Sequence, residues 1–181
     1  MLFSCANDLE VINKIIDPEE EPDLTATNVE MLFSDSARLQ MKLISPLIKQ
    51  YTSAKEPRDE FPEGLHVWLY EKTGELKAEI TANWAKQDIT TGIWEAKSNV
   101  VIINSEGDKL ETEQMFWDPK KEIVYSEKYT KYTTNTGTVA TGKDGMRAKQ
   151  DFSQWRLIGG DGATIVLKDE QEVEKIEDNN Q

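Results

Sequence analysis

Leu65-His66-Val67-Trp68-Leu69-Tyr70, a turn at Lys72-Thr73-Gly74-Glu75, and then Leu76-Lys77-Ala78-Glu79-Ile80-Thr81-Ala82-Asn83-Trp84 decide the fold class. Apolar and polar residues alternate through both runs, and a period of two gives an extended strand one apolar face. Leu39, Met41 and Leu43 alternate with Arg38, Gln40 and Lys42 in the same way. Working outward, a short phrase recurs at 43–49, 80–86, 110–116 and 146–152, in each case an apolar residue followed two positions later by a small one. Each copy leads through a polar stretch into another apolar segment. One such unit cannot bury its apolar face alone, so stacked layers around a continuous interior groove are expected.

Turn signals punctuate the chain at Ser34-Asp35-Ser36, Thr90-Thr91-Gly92, Ser105-Glu106-Gly107-Asp108, Asp118-Pro119-Lys120-Lys121, Asn135-Thr136-Gly137 and Gly159-Gly160-Asp161-Gly162. Between Leu110 and Met115 the apolar phase slips by one, which predicts a bulge or a corner where a strand passes between sheets. Asn99-Val100-Val101-Ile102-Ile103 is apolar on both faces and reads as an interior strand. A helix fits only around 7–16.

The chain has 181 residues, enough for one domain with a sizeable core, and a formal charge of −13 with a pI near 4.6. Nucleic acid or an anionic membrane would call for a basic patch, and no such run exists. A single cysteine, Cys5, excludes an internal disulfide framework and a cysteine-based structural metal site. Leu2-Phe3-Ser4-Cys5 resembles the lipobox at which bacterial lipoprotein precursors are cut and acylated. Phe3 departs from the usual small residue, and the other regions of a signal peptide are missing. The alternative is an ordinary thiol near a frayed terminus. No stretch approaches the ~20 apolar residues that span a bilayer. Asp17-Pro18-Glu19-Glu20-Glu21-Pro22-Asp23 reads as a solvated tether, and the charge-rich 168–181 as a mobile tail. Residues 1–27, 28–167 and 168–181 are thus expected to be tether, folded domain and tail.

Catalysis finds little support. His66 is the only histidine, it lies on the polar phase, and no acid or nucleophile is marked as its partner. No catalytic residue, metal site or cofactor motif is read. The 34 acidic residues make any carboxylate pair uninformative.

Ser34-Asp35-Ser36-Ala37-Arg38-Leu39, Glu60-Phe61-Pro62-Glu63-Gly64-Leu65-His66-Val67, Trp94-Glu95-Ala96-Lys97-Ser98-Asn99-Val100-Val101 and Thr112-Glu113-Gln114-Met115-Phe116-Trp117-Asp118-Pro119-Lys120-Lys121, in that order, resemble the LptC family of lipopolysaccharide-export proteins, its Bacteroidetes-type members most closely. The resemblance spans roughly 28–157. It implies an all-β fold, a twisted half-open β-jellyroll of two facing antiparallel sheets. It also implies a periplasmic bridge component at the inner membrane that takes lipopolysaccharide from the ABC transporter to a downstream LptA-like protein. No stretch of the sequence matches the family's usual N-terminal transmembrane anchor; the Leu2–Cys5 segment suggests a lipid anchor instead, with an anchor upstream of Met1 as the alternative.

If two alternating sheets splay, their apolar faces form a slot for acyl chains, and burial alone supplies affinity at about 0.8 kcal/mol per methylene. The expected lining is Leu39, Met41, Leu43, Val67, Leu69, Ile80, Ala82, Trp94, Val101, Ile103, Met115, Trp117, Ile123 and Tyr125, with plain sandwich core as the competing reading. By resemblance, an N-terminal edge at Asn28, Val29, Glu30 and Met31 would face the transporter's jellyrolls. A C-terminal edge at Trp155, Arg156, Leu157 and Ile158 would face the next bridge protein, unless it closes as a hairpin onto 165–167. The rival class is a carbohydrate-binding β-sandwich of a cell-surface protein, which would set three or more aromatics on one exposed face.

Overall fold

In the computed structural model, residues 21–150, 152 and 154–160 are described. The helix expected at 7–16, Cys5, most of the tether and the tail lie outside them. The described chain is thirteen strands: β1 (Leu24–Asp35), β2 (Arg38–Tyr51), β3 (Arg58–Phe61), β4 (Leu65–Tyr70), β5 (Leu76–Ala82), β6 (Trp84–Asp88), β7 (Trp94–Asn104), β8 (Lys109–Asp118), β9 (Ile123–Ser126), β10 (Thr130–Thr133), β11 (Val139–Gly142), β12 (Gly145–Lys149) and β13 (Trp155–Ile158). The first strand starts at Leu24, opposite Gln50, four positions earlier than the expected domain start at Asn28.

All pairings are antiparallel, and the pairing partners change part-way along the long strands. The start of β2 pairs with β4 and its end with β3; the start of β7 pairs with β6 and its end with β5; the start of β8 pairs with β10 and its end with β9. The sheet is therefore one meander folded along a crease into two leaves. Leaf I contains β4, β5, β10 and β11; leaf II contains β3, β6, β9, β12 and β13. The strands β1, β2, β7 and β8 run through both.

The crease passes through Asn28, Pro46, 62–64, Asn83, Ser98-Asn99, Glu113, 127–129 and 143–144, each a point where a register skips or a strand breaks. Asn28, Ser98 and Asn99 adopt φ of 52°, 61° and 55°, a left-handed backbone that turns the strand sharply. Hydroxyl side chains and backbone amides replace the lost ladder bonds. Ser45 Oγ donates to the Gly64 carbonyl at 2.6 Å, the Asn83 amide to the Ser98 carbonyl at 3.0 Å, and Thr112 Oγ1 to the Tyr129 carbonyl at 3.0 Å. Thr112 also meets Ser126 Oγ at 3.0 Å, and Thr130 Oγ1 donates to the Lys128 carbonyl at 3.0 Å. Ser45, Thr112, Ser126 and Thr130 are all buried.

The recurring phrase now has a physical meaning. In its first three copies the small residue, Ser45, Ala82 or Thr112, sits at the crease, where the leaves approach most closely. In the fourth copy the crease falls just before Met146, and Ala148 faces the interior beside it. The phase slip in β8 is the expected corner: Leu110 and Thr112 face in before it, Met115 and Trp117 after it. The strand β7 is interior to the ladder, yet its outer face is uncovered, since Ile103 is 41% exposed.

The crease generates a stability prediction. A Cβ on Gly64 would lie 2.4 Å from the Ala82 carbonyl oxygen and would have to adopt a φ of +82°, whereas one on Gly74, with φ +91°, meets nothing within 4 Å. In urea unfolding, Gly64→Ala should lose more than ~2 kcal/mol and Gly74→Ala about 1 kcal/mol, the backbone cost alone.

Candidate functional site: an apolar cavity between the leaves

Two packed clusters fill the interior at opposite ends. Leu43, Ile48, Phe61, Leu65, Val67 and Ala85 form one. Val100, Ile102, Leu110, Met115, Val124, Tyr132, Met146, Ala148 and Leu157, with Ala78 and Ala82, form the other. Leu69 and Ile80 pack against both, and between the clusters lies a cavity of about 460 Å³. Its volume falls within the ~300–1,000 Å³ of ligand pockets.

The leaves contribute to the cavity in rows set by register. Leu43, Val67, Ile80 and Ile102 are consecutive cross-strand partners in leaf I; Trp94 and Trp117, and Ala96 and Met115, pair in leaf II. Met41 and Leu69 pair one step further from the crease. All of these residues line the cavity. At the rim are Gln40, Tyr70, Glu71, Lys72, Lys77, Gln150 and Phe152, and since Glu71 and Lys72 are exposed, the cavity reaches solvent. Lys77 Nζ lies 3.5 Å from Glu71 Oε1. The Trp117 indole donates to Gln150 Oε1 at 3.1 Å, which satisfies its only polar atom at the lip.

Of the residues expected to form a lining, Met41, Leu43, Val67, Leu69, Ile80, Trp94, Met115 and Trp117 are brought together around this cavity. Ala82 is buried in the core beside the crease, and Leu39 lies half-buried at the start of β2. Four residues are on the other side of the sheet. Val101 and Ile103 point outward, and Val100 and Ile102 line the cavity in their place; the two crease residues Ser98 and Asn99 preserve the phase of Trp94 and Ala96, so even-numbered positions continue inward. Ile123 and Tyr125 also face out, because Val124 is the partner of inward Trp117. Alternation carried through from Trp94 would have found Val100 and Ile102. Leu65, Ala85, Gln150 and Phe152 also line the cavity, and the last two carry no periodic signal.

The tryptophans divide between the faces. Trp94 and Trp117 point in, and Trp155 packs against Tyr132 at 4.5 Å. Trp68 is outside on leaf I, stacked on His66 at 3.7 Å, and His66 Nε2 meets Glu79 Oε2 at 2.9 Å. On the outside of leaf II, Trp84 lies under Lys97, while Phe116 and Tyr125 stack on each other at 5.1 Å with Arg147 over the tyrosine. These outer aromatics spend ring faces on one another and on cations.

The remaining charged groups with shifted carboxyls, Glu95 of the cavity lining among them, are tied into hydrogen bonds of the fold. Burial alone would raise the Glu95 carboxyl, but donors from Lys97 at 2.8 Å and from Gln114 outweigh it and hold the carboxyl below its usual range. The Tyr132 hydroxyl donates to Asp108 Oδ2 at 2.6 Å; this lowers the Asp108 carboxyl, while burial and then that same bond push Tyr132 upward. Burial raises Asp59 against a single donor, Gln50. Among the described residues no group of three His, Cys, Asp or Glu is placed to hold a metal ion.

A family model, lipopolysaccharide-assembly, LptC-related, matches residues 3–164. The chain belongs to the LptC family. Membership makes it a component of lipopolysaccharide transport, in a family that is periplasmic and associated with the inner membrane, works alongside the transporter and other proteins of the pathway, and is not an enzyme family. Among curated proteins none matches the chain. No helix among the described residues is long and apolar enough to cross a membrane.

The two faces of β7 can be tested by charge. Ile102 is 5% exposed and Ile103 41%. Ile102→Asp should cost at least about 3 kcal/mol in urea unfolding, and Ile103→Asp no more than about 0.5 kcal/mol.

Proposed function

We propose that this LptC-family protein accepts the acyl chains of lipopolysaccharide in the cavity between its leaves and passes the molecule on to the next jellyroll protein. The observation that supports this reading is the cavity itself: an apolar space of about 460 Å³ that reaches solvent at one rim. Each methylene moved into it contributes about 0.8 kcal/mol without directional contacts, so affinity needs no fixed binding pose. Carrier function needs binding of this kind, since many shifted positions of a chain have similar energy. The phosphates and sugars of lipopolysaccharide stay outside the apolar leaves.

The ends of the folded sheet serve, in this reading, as joints. Among the described residues β1 pairs only with β2, and it would receive the transporter's jellyroll; β13 pairs there only with β12, and it would meet an LptA-like protein by strand addition. A photo-crosslinking residue at Ile80 or Trp117 should capture lipopolysaccharide while the transporter is running, and one at the outward neighbours Lys42 or Glu79 should not. Capture confined to Lys42 and Glu79 would overturn the reading.

Attachment is proposed to run through Cys5. Labelled palmitate should appear in the precursor and vanish in Cys5→Ser; persistence of the label in that variant would count against it.

A further inference from the structure

Arg147, Lys149 and Arg156 lie on the outer face of leaf II, at its C-terminal edge, and all three are exposed. Five other cations of the sheet pair with acids on the same face: Lys42 with Glu30, Lys86 and Lys97 with Glu95, Lys109 and Lys131 with Glu111. Among the described residues these three form no ion pair, in a chain whose formal charge is −13. Arg147 and Arg156 are moreover direct cross-strand partners. Like charges placed opposite each other destabilise a sheet, so the pair costs stability in the isolated protein. Arg147 is held in place by the Tyr125 ring, 5.3 Å from its guanidinium.

The backbone shows which way this row continues. The carbonyls of Gln154 and Ile158 accept from the Lys149 and Asp144 amides, so 154, 156 and 158 direct their polar groups at β12. Strand alternation turns the N–H and C=O of Trp155 and Leu157 toward the edge that no other described strand covers. A strand added there in antiparallel sense would bond to Trp155 and Leu157. Its residue opposite Arg156 would occupy a non-hydrogen-bonded position, where facing side chains come closest.

We propose that the C-terminal edge selects its partner by charge, adding a strand that places a carboxylate opposite Arg156 and within reach of Arg147. This rests on the edge-joint reading above and names the chemistry of the partner. A second copy of this chain does not fit, because the outward residues of β1 in leaf II, Thr25 and Thr27, are neutral. The occupant is a different protein with an acidic edge strand.

The test uses the isotope-labelled full chain and short extended peptides in which valine alternates with glutamate or with lysine. The glutamate peptide should shift the Trp155 and Leu157 amides and bind about fivefold more tightly than the lysine peptide, a preference that shrinks in high salt. Arg156→Glu should invert that order, a result that loss of folding cannot produce. Equal binding of both peptides at β13 would overturn charge selection and leave the edge joint standing. Absence of both from β13 would overturn the edge joint too, with lipid capture at Ile80 still able to stand alone.

Discussion

Backbone hydrogen bonding at the crease is the constraint on which the rest of the structure depends. Bending a sheet sharply across every strand opens its ladder there, and each buried polar group left unpaired costs about 1–3 kcal/mol. The chain meets this with breaks between paired strands, left-handed residues at Asn28, Ser98 and Asn99, and buried hydroxyls on Ser45, Thr112, Ser126 and Thr130. Only short side chains can do this, so the leaves come close along the crease and diverge away from it. Ala82, Val100 and Thr112 lie next to the crease, Leu43, Ile80 and Ile102 one step out, and Met41 and Leu69 a step further.

The cavity is what this wedge leaves unfilled between its two packed ends. A sealed empty space of 460 Å³ could not be tolerated. At about 24 cal/mol per Å³ its cost would be on the order of 10 kcal/mol, comparable with the whole stability of a domain. The exposed rim residues Glu71 and Lys72 show the alternative the fold adopts, a space open to water. Apolar lining held against water is driving force in reserve, and an apolar ligand is what releases it.

Much of this was legible in the sequence where local pattern and tertiary position coincide. Alternation placed β2, β4 and β5 and their inward faces, and the slip in β8 marked a corner. The recurring small residue was visible as a repeat, but its role was not, because a fold line is a relation among strands rather than a property of any one of them. The errors have the same origin. Val100 through Ile103 and Ile123 through Tyr125 are apolar on successive positions, so alternation within each run chooses no face; the phase carried from Trp94 and Ala96 and the pairing with Thr112 and Trp117 do. Gln150 and Phe152 reach the rim from the loop after β12, which no periodicity announces.

The two ends of the folded sheet differ in chemistry as well as position. At one end β1 is a twelve-residue edge whose Leu24, Leu32 and Phe33 are 49%, 58% and 39% exposed, and its Glu30 is already matched to Lys42. At the other, β13 has four residues, Trp155 and Leu157 turned inward, and unmatched cations beside them. An apolar edge and a cationic edge do not complement each other, which disfavours head-to-tail stacking of identical copies. Among the described residues neither edge has a second partner strand, and long unpaired edges invite aggregation. Giving them different chemistry limits that hazard: each end keeps its capacity to add a strand, while the set of strands it accepts is narrowed, by apolar contact at β1 and by charge at β13.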